Sequence, residues 1–182
     1  MATVKVVVTG PFAAGKTTFI RTVSEIAVIS TERNVTDHSA EKKGRTTVAM
    51  DFGRITIDES LVLYLFGTPG QERFDFMWEI LSEGMLGFIL LLDPVDKESF
   101  EDARKILNAF LGYGDVPFVV AVNKHDDDEA GAAIARAELA LADSVPIVPV
   151  DARDLESVKG VLLELLLLVV KTRENQQVLS PG

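Results

Sequence analysis

Val4-Lys5-Val6-Val7-Val8-Thr9-Gly10-Pro11-Phe12-Ala13-Ala14-Gly15-Lys16-Thr17 is the stretch from which the fold can be read. Its first half is rich in β-branched valine, the composition of a buried strand. From Gly10 onward it has the spacing G-x-x-x-x-G-K-[ST]. Beyond Lys16 the apolar residues Phe19, Ile20, Val23 and Ala27 recur at helical spacing, so a helix is expected over 16–28. A strand, a glycine-bearing loop and a helix in that order gather backbone N–H groups and the positive end of a helix dipole around an anion. Phosphate is the natural ligand. Lys16 can reach the outer phosphates as a point charge, and the Thr17 hydroxyl can enter the shell of a Mg²⁺ ion bridging them. The pattern alone leaves ATP or GTP, hydrolase or kinase, open.

The 182 residues fit one domain, and a 47% hydrophobic content supplies a sizeable core. A net charge of -10 and a pI near 4.7 oppose a broad footprint for nucleic acid or anionic lipid. With no cysteine there is no disulfide, zinc-thiolate site or prenylated C-terminus, which fits the cytoplasm. Met1-Ala2-Thr3 is too short for a signal peptide ahead of the first strand. The greasiest run, Val161 to Val170, is interrupted by Glu164 and falls far below a membrane span of roughly 18 apolar residues. It reads as a packed helix, with a partner-facing side as the alternative.

Strands are expected near 3–9, 48–58, 60–66, 85–92, 116–122 and 145–150, and helices near 16–28, 72–83, 97–111, 129–142 and 154–172. The alternation predicts an α/β fold: a six-stranded, mostly parallel sheet with five flanking helices. Only Asp58-Glu59-Ser60 separates the second and third strands, too few residues for a crossover, so that pair must be an antiparallel hairpin. If it turns about Glu59, Asp51 faces Gly67. The polar segment 30–46 lacks periodicity and is long for a connection, so function or mobility is expected there. Residues 1–174 make up the domain, and 175–182 are expected to be a flexible tail.

Three further motifs fall at the carboxyl ends of strands, where ligands of open parallel sheets sit. In Leu65-Phe66-Gly67-Thr68-Pro69-Gly70-Gln71-Glu72-Arg73-Phe74, Gly70 can offer an N–H to a terminal phosphate and Gln71 can orient a water. A plain Pro-Gly turn is the alternative. In Asn123-Lys124-His125-Asp126, the Asp126 carboxylate can accept paired bonds from the N1 and 2-amino donors of guanine, donors that adenine lacks. The same acids also suit a helix N-terminus. After the sixth strand, in Val150-Asp151-Ala152-Arg153, the Ala152 N–H can meet a guanine carbonyl. Thr46 and Thr47 close the polar segment, and one of them can donate a hydroxyl to Mg²⁺ when a terminal phosphate is present. His38 and His125 read as surface residues without metal-ligand spacing.

Taken in order, these motifs resemble a Ras-like small GTPase from about Val4 to Lys171. The run L-F-G-T-P-G-Q-E-R-F is most similar to prokaryotic members, the gliding-motility type (MglA) and the conservon-associated GTPases of actinobacteria. The resemblance implies a P-loop G domain that binds GTP or GDP with Mg²⁺ and acts as a slow GTPase switch. It also implies a roadblock-fold partner. The nucleotide-holding set is then Gly10, Ala13, Ala14, Gly15, Lys16, Thr17, Thr18, Thr47, Gly70, Asn123, Lys124, Asp126, Asp151, Ala152 and Arg153. Lys16, Gln71 and Arg45 are the catalytic candidates, Arg45 having a solvated loop charge as its alternative. A nucleotide-loaded scaffold with negligible hydrolysis is the rival function. Two positions depart from the family: Gly67 replaces the aspartate that helps hold Mg²⁺, and Phe12 replaces a glycine beside the terminal phosphate. Asp51, opposite Gly67, is the candidate replacement, expected to hold a Mg²⁺-bound water rather than the ion itself, and joins Thr17 and Thr47 in the metal set. An exposed strand aspartate paired with a neighbouring Lys or Arg is the other reading of Asp51.

Overall fold

The computed structural model describes residues 2–35, 46–70, 74–124 and 128–178. Strand β1 (Ala2–Thr9) runs through the phosphate-type loop into helix α1 (Lys16–Val23). There follow β2 (Ile29–Val35), β3 (Thr46–Thr56), β4 (Leu61–Gly67), α2 (Asp75–Ser82), β5 (Met85–Leu92), α3 (Ser99–Gly112), β6 (Phe118–Asn123), α4 (Asp128–Glu138), β7 (Ile147–Val150) and α5 (Leu155–Val178). The sheet order is β2-β3-β4-β1-β5-β6-β7. β3 is antiparallel to both neighbours, and every other pairing is parallel.

All six anticipated strands are present, with the anticipated hairpin. Asp58 shapes its turn by accepting the N–H groups of Ser60 and Leu61 at 2.7 and 2.9 Å. The register is the one expected: Asp51 lies opposite Gly67. A seventh strand, β2, occupies the start of the segment expected to be irregular. Its residues offer little apolar periodicity, and its strand character comes from backbone pairing with β3 at the sheet edge.

Both faces of the sheet are covered, as a mostly parallel sheet requires. On one face Val6, Val8, Leu63, Leu65 and Leu91 pack against Phe19 and Ile20 of α1 and Val158, Val161 and Leu165 of α5. On the other, Val7, Phe88, Leu90 and Val120 pack against Trp78 of α2, Phe100, Ile106 and Phe110 of α3, and Ala135 of α4. The alternation of Val6, Val7 and Val8 between these clusters is the period of two of a strand.

Two helices differ in length from expectation. α1 ends at Val23 rather than continuing to 28, because the chain is drawn onto β3: the Ser24 hydroxyl accepts the Arg54 N–H at 3.1 Å, and the Glu25 N–H donates to the Arg54 carbonyl at 2.8 Å. α5 continues to Val178, four residues into the segment expected to be a tail. His38, Arg45, Gln71, His125 and Asp126 lie outside the described residues.

Candidate functional site

β1 lies where the strand order reverses, between β4 and β5, so the loop after it opens at a crevice between two helices. Gly10 has φ 144° and Gly15 φ 109°. A β-carbon at Gly10 would stand 2.2 Å from the Leu91 carbonyl oxygen, and one at Gly15 would stand 2.5 Å from Asn123 Nδ2. Only glycine lets the backbone turn there and approach β5 and β6 so closely. Ala13 takes φ 61° without that freedom, and so does Lys124. Such strain gathers at functional sites. Ala13 and Lys124 also meet, for Lys124 Nζ donates to the Ala13 carbonyl at 2.6 Å.

Lys16 is buried and donates to the carbonyls of Gly10 and Pro11 at 2.7 and 2.6 Å. Loss of water pushes its ammonium down to about 8, against the opposing pull of Asp51. An arriving phosphate supplies negative charge where this ammonium lacks solvent, which favours the charged form.

Asn123 joins the two halves of the site. Its Nδ2 donates to the Ala14 carbonyl at 3.0 Å, and its Oδ1 accepts the Ala152 N–H at 3.1 Å. The end of β6 is thereby tied to both the loop after β1 and the loop after β7. Between them lies a cavity of about 660 Å³, lined by Gly15, Thr18, Lys124, Asp151, Arg153 and Ser157 among others. That size suits a nucleotide-sized ligand. Asp151 and Arg153 hold one another through two contacts of 2.9 Å, and these bonds bring the Asp151 carboxyl down to about 2.

Thr17 and Asp51 are also brought together. The Thr17 hydroxyl donates to Asp51 Oδ2 at 2.5 Å, and Asp51 is only 8% exposed. A β-carbon at Gly67 would stand 2.8 Å from Ile20 Cδ1 and 3.1 Å from Asp51 Cβ, so Asp51 already fills the space a side chain at 67 would use. A threonine hydroxyl beside one carboxylate is a hard-oxygen donor set, which suits Mg²⁺ that keeps several waters and phosphate oxygens. Among the described residues, no group of three or more His, Cys, Asp or Glu is poised to cage a metal by itself.

Gly70 lies against the phosphate-type loop, where a β-carbon would come within 2.5 Å of the Phe12 nitrogen. Thr47 is placed elsewhere. Its backbone pairs with Asn34 in the β2–β3 ladder, four residues along β3 from Asp51 and so about 13 Å away at strand rise. Two contacts escaped the sequence reading. Thr9 and Thr68 share a buried 2.8 Å hydroxyl bond that ties the end of β1 to the Gly70 turn, and Asp93 pairs with Lys124 at 3.4 Å. Their position at strand ends was the only signal for them.

A family model described as conserved hypothetical ATP binding protein matches residues 8–143. The chain belongs to that family. An uncharacterized protein of Methanocaldococcus jannaschii is 35% identical over 124 residues, 68% of this chain and 71% of that protein. A Ras-related protein of Candida albicans is 26% identical over 145 residues, covering 75% and 69% of the two chains. The Ras-related protein RIC1 of Oryza sativa subsp. japonica is 28% identical over 127 residues, covering 66% and 63%. Together with the sheet and the loop geometry, these likenesses make the family member described here a nucleotide-binding P-loop protein of small-GTPase-like fold. No described helix is long and apolar enough to cross a membrane.

Proposed function

We propose that the chain is a GTP-binding and GTP-hydrolysing switch that acts on a protein partner through the segments on either side of β3 and β4. The observation that carries this reading is the double clamp of Asn123 on Ala14 and Ala152, which builds one cavity from three strand ends. Asp126, two residues beyond Lys124, is assigned to the guanine donors, and Ala152 and Arg153 to the rest of the base. Lys16 offsets phosphate charge, Gln71 positions the attacking water, and Arg45 is the internal candidate for a second cation. Thr17, Thr47 and Asp51 are the residues assigned to Mg²⁺, which when bound neutralises the charge that builds on the phosphates. Thr47 reaches that set only when the β2–β3 pairing at the sheet edge gives way, which makes this pairing the switching element. By its resemblance to the gliding-motility and conservon-associated GTPases, a roadblock-fold protein is the assigned partner.

ATP is the competing ligand, since the family description names it. Competition between GTP and ATP for the purified chain decides between them: GTP is expected to win, and equal or tighter ATP binding overturns the base assignment. In Asp126→Asn the preference is expected to move toward xanthosine triphosphate by about 1 to 3 kcal/mol, the scale of a buried polar mismatch. Unchanged preference for GTP removes Asp126 from the base site.

Hydrolysis by the isolated chain is expected to be slow, of the order of 10⁻⁴ to 10⁻² s⁻¹ in a single-turnover assay. Phe12, 67% exposed in the loop, is the residue to which the slow rate is assigned, standing where the family has a glycine beside the terminal phosphate. No detectable turnover, with or without partner, would favour the scaffold over the switch.

A further inference from the structure

Helix α5 is apolar on two opposite sides. Val158, Val161, Leu162 and Leu165 are buried in the core against the sheet and Val169 is buried too, yet Leu163, Leu167 and Val170 are 57, 56 and 54% exposed. At spacings of four and three residues, these last three form one stripe two turns long. Gly160 extends the stripe by a turn and has open space where a side chain would stand. A helix that packs on a single core carries polar residues on its outer face, and one that is apolar all round is buried all round. The charges beside the stripe add a second observation. In a chain of net charge -10, α5 carries Glu156, Glu164 and Glu174 against Lys159, Lys171 and Arg173, so this helix is neutral. Glu164 and Lys171 lie seven residues apart, symmetrically about Leu167 and Leu168.

We propose that this face docks a second copy of the chain, with the two α5 helices antiparallel about a two-fold axis near Leu167. That symmetry sets Leu167 on its counterpart, Leu163 against Val170 of the second copy, and Glu164 across from Lys171 twice over. The contact is isologous, so acid and base complement each other without any second kind of surface. Leu165, on the buried side, approaches Gly87 near the start of β5, which puts the stripe toward the amino ends of the strands. The nucleotide cavity at the carboxyl ends stays open in such a dimer. Three large side chains make a small interface, so the association is weak and concentration-dependent.

Sedimentation velocity of the full chain over about 10 to 500 µM tests this, a range chosen for a contact at the low end of interface size. A reversible dimer is expected, and Leu167→Glu is expected to abolish it with no loss in thermal stability, since position 167 faces water. Glu164→Lys alone and Lys171→Glu alone are each expected to weaken the dimer about 5- to 10-fold, two surface ion pairs being replaced by repulsions. The double variant is expected to restore it. A chain that is monomeric throughout, or a dimer indifferent to Leu167→Glu, overturns the proposal. Failure of the double variant to recover overturns the antiparallel register. A monomer that instead sediments with phosphatidylcholine vesicles would assign the face to lipid and overturn self-association.

Discussion

Gly10→Ala is expected to destabilise the folded chain by about 2 to 6 kcal/mol and to abolish nucleotide binding. Two costs add. At φ 144° an L-residue is strained by about 1 to 3 kcal/mol. The new β-carbon would also stand 2.2 Å from the Leu91 carbonyl oxygen, and crowding of this kind costs a further 1 to 3 kcal/mol or so. The atom in the way is backbone of a central strand rather than the end of a flexible side chain, so relief requires β1 and β5 to part, and those strands carry the loop. In a chain of this length, the loss corresponds to a melting temperature lower by about 4 to 24 °C. Gly112→Ala is the matched control: nothing lies within 4 Å of its added carbon, and it should be neutral or slightly stabilising. Thermal melts of the two variants check this. Equal melting temperatures would mean that Gly10 is not held against β5.

The layered fold was legible because its signals are local. Val4 to Val8 is a strand by composition, the helical period after Lys16 marks a covering helix, and three residues between strands force a hairpin. The pairing of Asp51 with Gly67 followed from that hairpin by counting. The edge strand β2 was not legible, because its pairing with β3 is a backbone matter and Ser30, Thr31, Glu32 and Asn34 carry no apolar alternation. The length of α1 was hidden for a related reason: Ser24 and Glu25 leave the helix for hydrogen bonds to Arg54, thirty residues away in sequence. In α5 the leucine count suggested a packed helix, and the structure buries only one of its two apolar sides. At the site, the residues carried by the loop after β1 could be named from spacing alone. The Thr9–Thr68 bond and the Asp93–Lys124 pair could not, since each joins strand ends that are adjacent only in the folded sheet.

Asp51→Ala is expected to raise the Mg²⁺ concentration needed for nucleotide retention by about 10- to 100-fold, the usual cost of removing a carboxylate that orients a metal ligand. In the folded chain Asp51 accepts the Thr17 hydroxyl proton at 2.5 Å and so leaves the oxygen lone pairs of Thr17 for a cation. Its position opposite Gly67 places the carboxylate where a side chain on β4 would otherwise supply one. It is also close enough to Lys16 to oppose the loss of that ammonium's proton. Asp51→Asn keeps the size and an acceptor oxygen but removes the charge. If charge is what matters, Asn behaves like Ala in the magnesium titration; if shape alone matters, Asn behaves like the native chain. Gly67→Asp by itself is expected to harm folding, because its β-carbon meets Ile20 Cδ1 at 2.8 Å and its carboxylate would sit beside that of Asp51. Combined with Asp51→Ala, the carboxylate clash disappears and part of the metal affinity should return across the strand pair. Release of a fluorescent guanine nucleotide, followed against magnesium concentration, reads all four variants without relying on turnover. A midpoint unchanged in Asp51→Ala would show that the Thr17 hydroxyl needs no partner, and Asp51 would then be only a buried acid that secures the end of α1 to β3.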